Sequence, residues 1–183
     1  MHGQLAREFA ETSARLHDRK RPDELLEAIV ELAAPAVGCP HVGLLLLCGR
    51  GRTLKPGRST DAQAAEADQV QIAVRQGPCW SCLARPDGPP EVVVDDTIDD
   101  SRWPAWNRPV LELGVRSVLS SRVATADRTI GFLTWYDDAP HSFSAHSVAV
   151  AHLLALHAAL PLAHALKHTT ALNHTATLKH RAS

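Results

Sequence analysis

Cys79 and Cys82 stand close together in the stretch QGPCWSCLAR, with Trp80 and Ser81 between them. A C-x-x-C pair at the start of a helix can be redox-active, because the positive end of the helix favours the thiolate. The same pair has the reach to close a disulfide or to supply half of a zinc site. It can equally be a pair of small apolar residues opening a helix, since free cysteine is most often a small buried hydrophobe. Zinc takes four ligands, and no second C-x-x-C or H-x-x-x-H lies nearby. Cys39 and Cys48 bracket an apolar run that holds them apart. A thioredoxin-like site would also need a βαβ start, which is missing.

Other residues could also carry chemistry. Asp95, Asp96, Asp99 and Asp100 could hold a hard cation. Aspartates at a strand end and a turn equally serve to accept from loose backbone N–H groups. Trp106 could stack on a flat ligand or fill the core, while Trp103, next to Pro104, reads as core. Trp135 and Tyr136 are neighbours on a strand, so they face opposite sides of its sheet. Arg116 needs a partner if buried, and Asp95, Asp96 or an anionic ligand would serve. Eight of the eleven histidines lie after residue 140, with His164 and His168 one helical turn apart. That pair lacks the further ligands a metal site needs, so no metal site is expected.

Length and composition set the frame for these residues. A chain of 183 residues is long enough to bury a full core without disulfides or metals. Net charge is −1, from 19 basic and 20 acidic residues, so there is no basic footprint for nucleic acid or an anionic membrane. The N-terminus has no apolar run of the signal-peptide kind, which predicts a cytoplasmic protein with reduced thiols. Residues 149–166 are almost wholly apolar but include His152, His157, Pro161 and His164. A membrane span tolerates such breaks poorly, so a buried or dimer-forming helix is expected.

The periodicity predicts helices over 4–19, with Leu5, Phe9 and Leu16 on one face, and from Pro22 onward. The second has a stripe of Leu25, Ile29, Leu32, Ala33 and Ala36, with Pro35 and Gly38 ending it. HVGLLLLC suits a central strand. The next strand is interrupted at Pro56-Gly57 and reads as an edge or a broken strand. An Ala-rich helix spans 61–75, and the helix carrying Cys82 follows Gly77-Pro78. EVVVDD gives a third strand. A short helix ends near Leu113-Gly114, and two strands meet at a turn around Ala126-Asp127. Ser144 is the expected N-cap of the last helix. The order is α-α-β-β-α-α-β-α-β-β-α, an α+β fold with a mainly antiparallel sheet. Three hexads, LKHTTA, LNHTAT and LKHRAS, fill 166–183. Six residues do not keep one helical face, so 167–183 reads as a helical or frayed linker after a domain over 1–166.

Several stretches together resemble the GAF domains, in particular the sensor domains of actinobacterial regulators that precede an ANTAR RNA-binding module. They are Gly77-Pro78-Cys79, Val94-Asp95-Asp96 with Asp99 and Arg102-Trp103-Pro104, LGVRSVLS, IGFLTWY, and Phe143 before the last helix. The resemblance implies a PAS-like central antiparallel sheet of five or six strands with the terminal helices on one face. It implies a small-ligand cavity on the other, bounded by Cys79, Trp80, Trp106, Arg116 and Trp135 or Tyr136. It implies a homodimer through the terminal helices and a non-enzymatic sensor that drives an attached output. No ligand or cofactor is named by it. The RNA-binding module of that family would begin about where this chain stops, so nucleic acid would be met only through such a module. Free methionine sulfoxide reductases share the fold. That leaves a redox sensor or reductase, with Cys79 as attacker and Cys82 as resolver, as the alternative function.

Overall fold

The computed structural model describes residues 21–49 and 53–181, with side chains as far as Lys167. The helix expected over 4–19 lies outside these residues. Helix α1, Pro22–Val37, opens with proline at its first turn and Asp23 and Glu24 at its positive end. Gly38 closes it in the left-handed conformation, its N–H bonding to the Ala34 carbonyl. Pro35 does not end the helix. It lies inside it, on the exposed side, where water can take over the carbonyl its missing N–H leaves free. Ala36 is likewise exposed, so the buried face turns toward Leu25, Leu26, Ala28, Ile29, Val30 and Ala33.

Strands β1 (His41–Cys48) and β2 (Thr53–Ser59) form a hairpin. Helix α2 (Ala62–Val74) is capped by Asp61, whose Oδ1 accepts from the Ala64 N–H at 2.9 Å. Helix α3 (Pro78–Ala84), strand β3 (Glu91–Val94) and helix α4 (Pro104–Glu112) follow. Strands β4 (Ser117–Ala124) and β5 (Thr129–Asp137) then lead to the long helix α5 (Ala145–Arg181), capped by Ser144. Residues 167–181 of the expected linker continue this helix. The sheet has five strands in the order β2-β1-β5-β4-β3, all neighbours antiparallel. Pro56 therefore does sit on an edge, and the register slips there: Leu44 pairs with Arg58 but Leu45 with Pro56, leaving Gly57 as a bulge.

Alternation along the strands sorts their side chains to two faces. One face is dry. Val42, Leu44, Leu119, Leu133 and Trp135 pack against α1 and the Val150–Ala163 part of α5. This burial is why residues 149–166 are so apolar, and α5 is the one described helix whose length and composition would also suit a membrane span. Leu153, Leu156 and Leu160 on its outer side remain exposed. The other face is covered by α2, α3 and α4, with Tyr136, Val118, Leu45 and Phe132 beneath them. At the β3 edge, Arg122 of β4 donates to the carbonyls of Arg85, Pro86, Gly88 and Pro89, fixing the loop between α3 and β3. Beside it Glu91 accepts from Ser121 and meets His152 of α5 at 2.6 Å.

Candidate functional site

The centre of the α2–α4 face is built on a row of small residues. Gly43, Thr134 and Ser120 lie side by side across β1, β5 and β4. Longer side chains flank the row: Leu45 and Phe132 on one side, Tyr136 and Val118 on the other. Helix α3 sets Cys79 over this floor, its Sγ 3.4 Å from both Ser120 Oγ and Thr134 Oγ1, which are 3.1 Å from each other.

Helix α2 supplies the roof. Ala64, Ala67, Asp68 and Gln71 share one face of it and are all buried. Tyr136 Oη donates to Asp68 Oδ1 at 2.6 Å and accepts from Gln71 Nε2 at 2.8 Å. Gln71 Oε1 in turn accepts the Cys79 N–H at 3.0 Å. Asp68 fits only because position 43 has no side chain: a Cβ there would lie 2.1 Å from Asp68 Oδ2. Burial pushes the Asp68 carboxyl up to about 7, with the Tyr136 hydrogen bond pulling the other way. Burial, and the carboxyl beside it, push the Tyr136 phenol well above its ordinary value.

The residues expected to line a pocket divide into three groups. Cys79 and Tyr136 meet in this network, and Trp80 flanks it, its indole N–H on the Gln71 carbonyl at 2.7 Å and its ring under the Arg75 guanidinium. Trp106 is fully buried in the cluster that holds Tyr136, edge-on to Trp103, and its indole N–H has no partner among the described residues. Trp135 lies on the opposite, dry face, with its N–H on the Ala33 carbonyl at 3.0 Å. Arg116 is also elsewhere. It precedes β4 at the end of the sheet and grips Asp96 with two hydrogen bonds of 2.9 and 2.6 Å. That guanidinium draws Asp96 down to about 2.

The aspartates around it line a shallow depression of ≈ 210 Å³ with Arg102 and His141. Asp96 and Asp100 accept from the N–H groups of Ile98 and Arg102, as turn aspartates do. Among the described residues no group of three or more His, Cys, Asp or Glu is placed to hold a metal ion.

The two thiols of the opening stretch are both buried and both free. Cys79 is pushed by burial to about 12, against its two hydroxyl partners, and Cys82 to about 11. The helix start does not make a thiolate here, because enclosure outweighs the dipole. With a thiol-reactive disulfide reagent, the half-buried Cys48 is therefore expected to react first in the native protein, and Cys79 and Cys82 only on unfolding. Fast native labelling of Cys79 would show the enclosure to be wrong.

The sequence reading missed Asp68, Gln71, Gly43, Ser120 and Thr134. A signal was present for two of them. In AQAAEADQVQ, the alanines at 64 and 67 mark the side of α2 that presses on the sheet, and Asp68 and Gln71 fall on that side.

A profile of the family described as GAF domain matches residues 21–162. A search of curated proteins finds no match. Among solved structures, the GAF domain of an Acinetobacter phosphoenolpyruvate-protein phosphotransferase superposes with a TM-score of 0.72 at 15% identity, over 91% of this chain and 98% of that one. A GAF domain/HD domain protein from Geobacter sulfurreducens gives 0.60 at 20% identity, over 84% and 97%. The free methionine-R-sulfoxide reductase of Neisseria meningitidis, solved with its substrate, gives 0.63 at 16% identity, over 87% and 88%. Identities this low speak for the fold alone.

Proposed function

The chain belongs to the GAF domain family, and on that premise we propose that it is a cytoplasmic, non-enzymatic sensor module. It takes a small ligand on the α2–α4 face of its sheet and reports through a homodimer of its terminal helices to an attached output. The output favoured by the sequence resemblance is an RNA-binding module that controls transcription termination.

The observation that carries this reading is the linked polar set enclosed beneath α2 and α3. A core needs no aspartate, glutamine, tyrosine hydroxyl, serine and threonine gathered over a glycine, and burying them costs stability unless each is partnered. The dry face supports the reporting half of the reading. There α1 and α5 pack directly on the strands that carry Thr134 and Ser120 on their other side. A ligand changes the output only by binding one arrangement of these helices better than another.

Leu153, Leu156 and Leu160 support the dimer. They are spaced by three and four residues on the exposed side of α5, the spacing of a helix-pairing seam. The thiol alternative lacks comparable support, because both thiols are enclosed and held protonated.

Intact mass of the fresh protein, native and denatured, tests both halves. The expected result is a dimer, with any retained ligand as extra mass in the native spectrum only. Leu156→Asp combined with Leu160→Asp is expected to give a folded monomer. A wild-type monomer at tens of micromolar would remove the dimer from the reading. A disulfide mapped to Cys79 and Cys82 would replace the sensor reading with thiol chemistry.

A further inference from the structure

We infer that the enclosed Asp68 carboxyl is itself a binding site, and that the ligand it takes is the hydrogen ion. The inference rests on the sensor reading above and names a ligand for the same face.

The geometry is that of a carboxyl built to be neutral. Asp68 is 2% exposed, and its hydrogen-bond donor is one phenol, that of Tyr136. An ionised carboxylate at this depth is stabilised by a cation or by two or three donors. No cation faces it. Helix α3 presents Cys79, β5 presents Tyr136, and β1 presents Gly43. His41, further along β1, is held by Asp61 at 2.7 Å. On β2, Lys55 is exposed and Arg58 pairs with Glu27. On α4, Arg108 and Glu112 pair with each other at the surface. Burial with a single donor pushes the carboxyl up, to about 7, far above an exposed aspartate.

The same contacts supply a path by which proton loss would be felt. Tyr136 Oη is shared between Asp68 and Gln71, and the Gln71 amide fixes the first turn of α3 through the Cys79 N–H. A carboxylate formed at Asp68 draws the phenol proton more strongly and has no second donor within the network. Gln71 and Cys79 must then readjust. A proton gained or lost inside the sheet is converted into a shift of α3, the helix that carries Cys79 and Trp80 over the floor.

The test is an NMR titration of the full chain from pH 5 to 8.5, following the Asp68 side-chain carboxyl and the amides of Gln71 and Cys79. The expected result is one step with a midpoint near pH 7 in all three signals. It should be absent at Gln71 and Cys79 in Asp68→Asn, and moved to higher pH in Tyr136→Phe, which removes the one donor. An Asp68 midpoint below pH 5 overturns the inference. So does a Gln71 step that survives in Asp68→Asn, since a histidine would then be the source. If Asp68→Asn does not fold, the wild-type and Tyr136→Phe midpoints decide. Failure here is separable from failure of the sensor reading. A retained small molecule beside a normally titrating Asp68 retires the proton and keeps the sensor; a thiol disulfide retires the sensor whatever Asp68 does.

Discussion

Asp68→Asn is expected to leave the protein about as stable as wild type near pH 4 and markedly more stable at pH 8. Asparagine keeps an acceptor for the Tyr136 phenol and removes the charge. The sign follows from proton linkage. The Asp68 pKa is about 7 in the folded chain and about 3.8 when exposed, so between these values the folded state holds a proton that the unfolded state has lost. Its stabilising contribution is complete below the unfolded value and is lost as pH rises through the folded one. Integrated over that window, the loss is on the order of 4 kcal/mol. Asp96, drawn down by Arg116, works in the opposite direction, with stability lost as pH falls toward about 2. The difference between variant and wild type cancels that group and isolates Asp68. Urea midpoints at pH 4, 6 and 8 make the measurement. A difference that stays flat over this range would mean that Asp68 is ionised in the folded protein.

Gly131→Ala is expected to be the most damaging small change in the sheet. Gly131 sits on β5 opposite Leu46 of β1, and a Cβ there would lie 2.1 Å from the Leu45 carbonyl oxygen and 3.1 Å from its carbon. The obstacle is backbone in a paired strand, so no side chain can swing aside. The two strands must part at the middle of the five-stranded sheet. We expect a loss of about 3 kcal/mol or more, at the upper end for a single added methyl group. Thermal unfolding would show it directly, and a loss below about 1 kcal/mol would mean that β1 and β5 are not packed this closely. Gly43→Ala is blocked differently, by the Asp68 carboxyl. Its cost should fall when Asp68 is also made Ala, a coupling that Gly131 cannot show.

The two predictions mark what could and could not be read from the chain. The elements were legible because they depend on local patterns: the Pro22 start, the Gly38 stop, the run HVGLLLLC and the proline that demotes β2 to an edge. An aspartate partner for Arg116, Asp95 or Asp96, was among the readings in advance, since a charge half out of water needs an opposite one; which of the two was not legible. The opposition of Trp135 and Tyr136 was legible from strand alternation. Which face each would take was not, because that depends on which helices cover which side. Asp68 and Gln71 escaped for a further reason. Polar residues on a helix are ordinarily solvated, and only the register of distant strands reveals that a glycine and two hydroxyls wait beneath them. Pro35 and Ala36 misled in the opposite sense, since a proline near a helix end usually stops it.

Arg122 carries a last consequence. Its guanidinium reaches only main-chain carbonyls of the α3–β3 loop, at Arg85, Pro86, Gly88 and Pro89. Every amino acid offers the same carbonyl, so this grip is blind to the side chains it holds. Residues 85–90 are therefore free to diverge in sequence while keeping one path, and the shape of the loop is inherited through a single position on a neighbouring strand. Relatives that keep arginine at this place should share the loop's course even where none of its letters agree, and those that lose it should differ there in length.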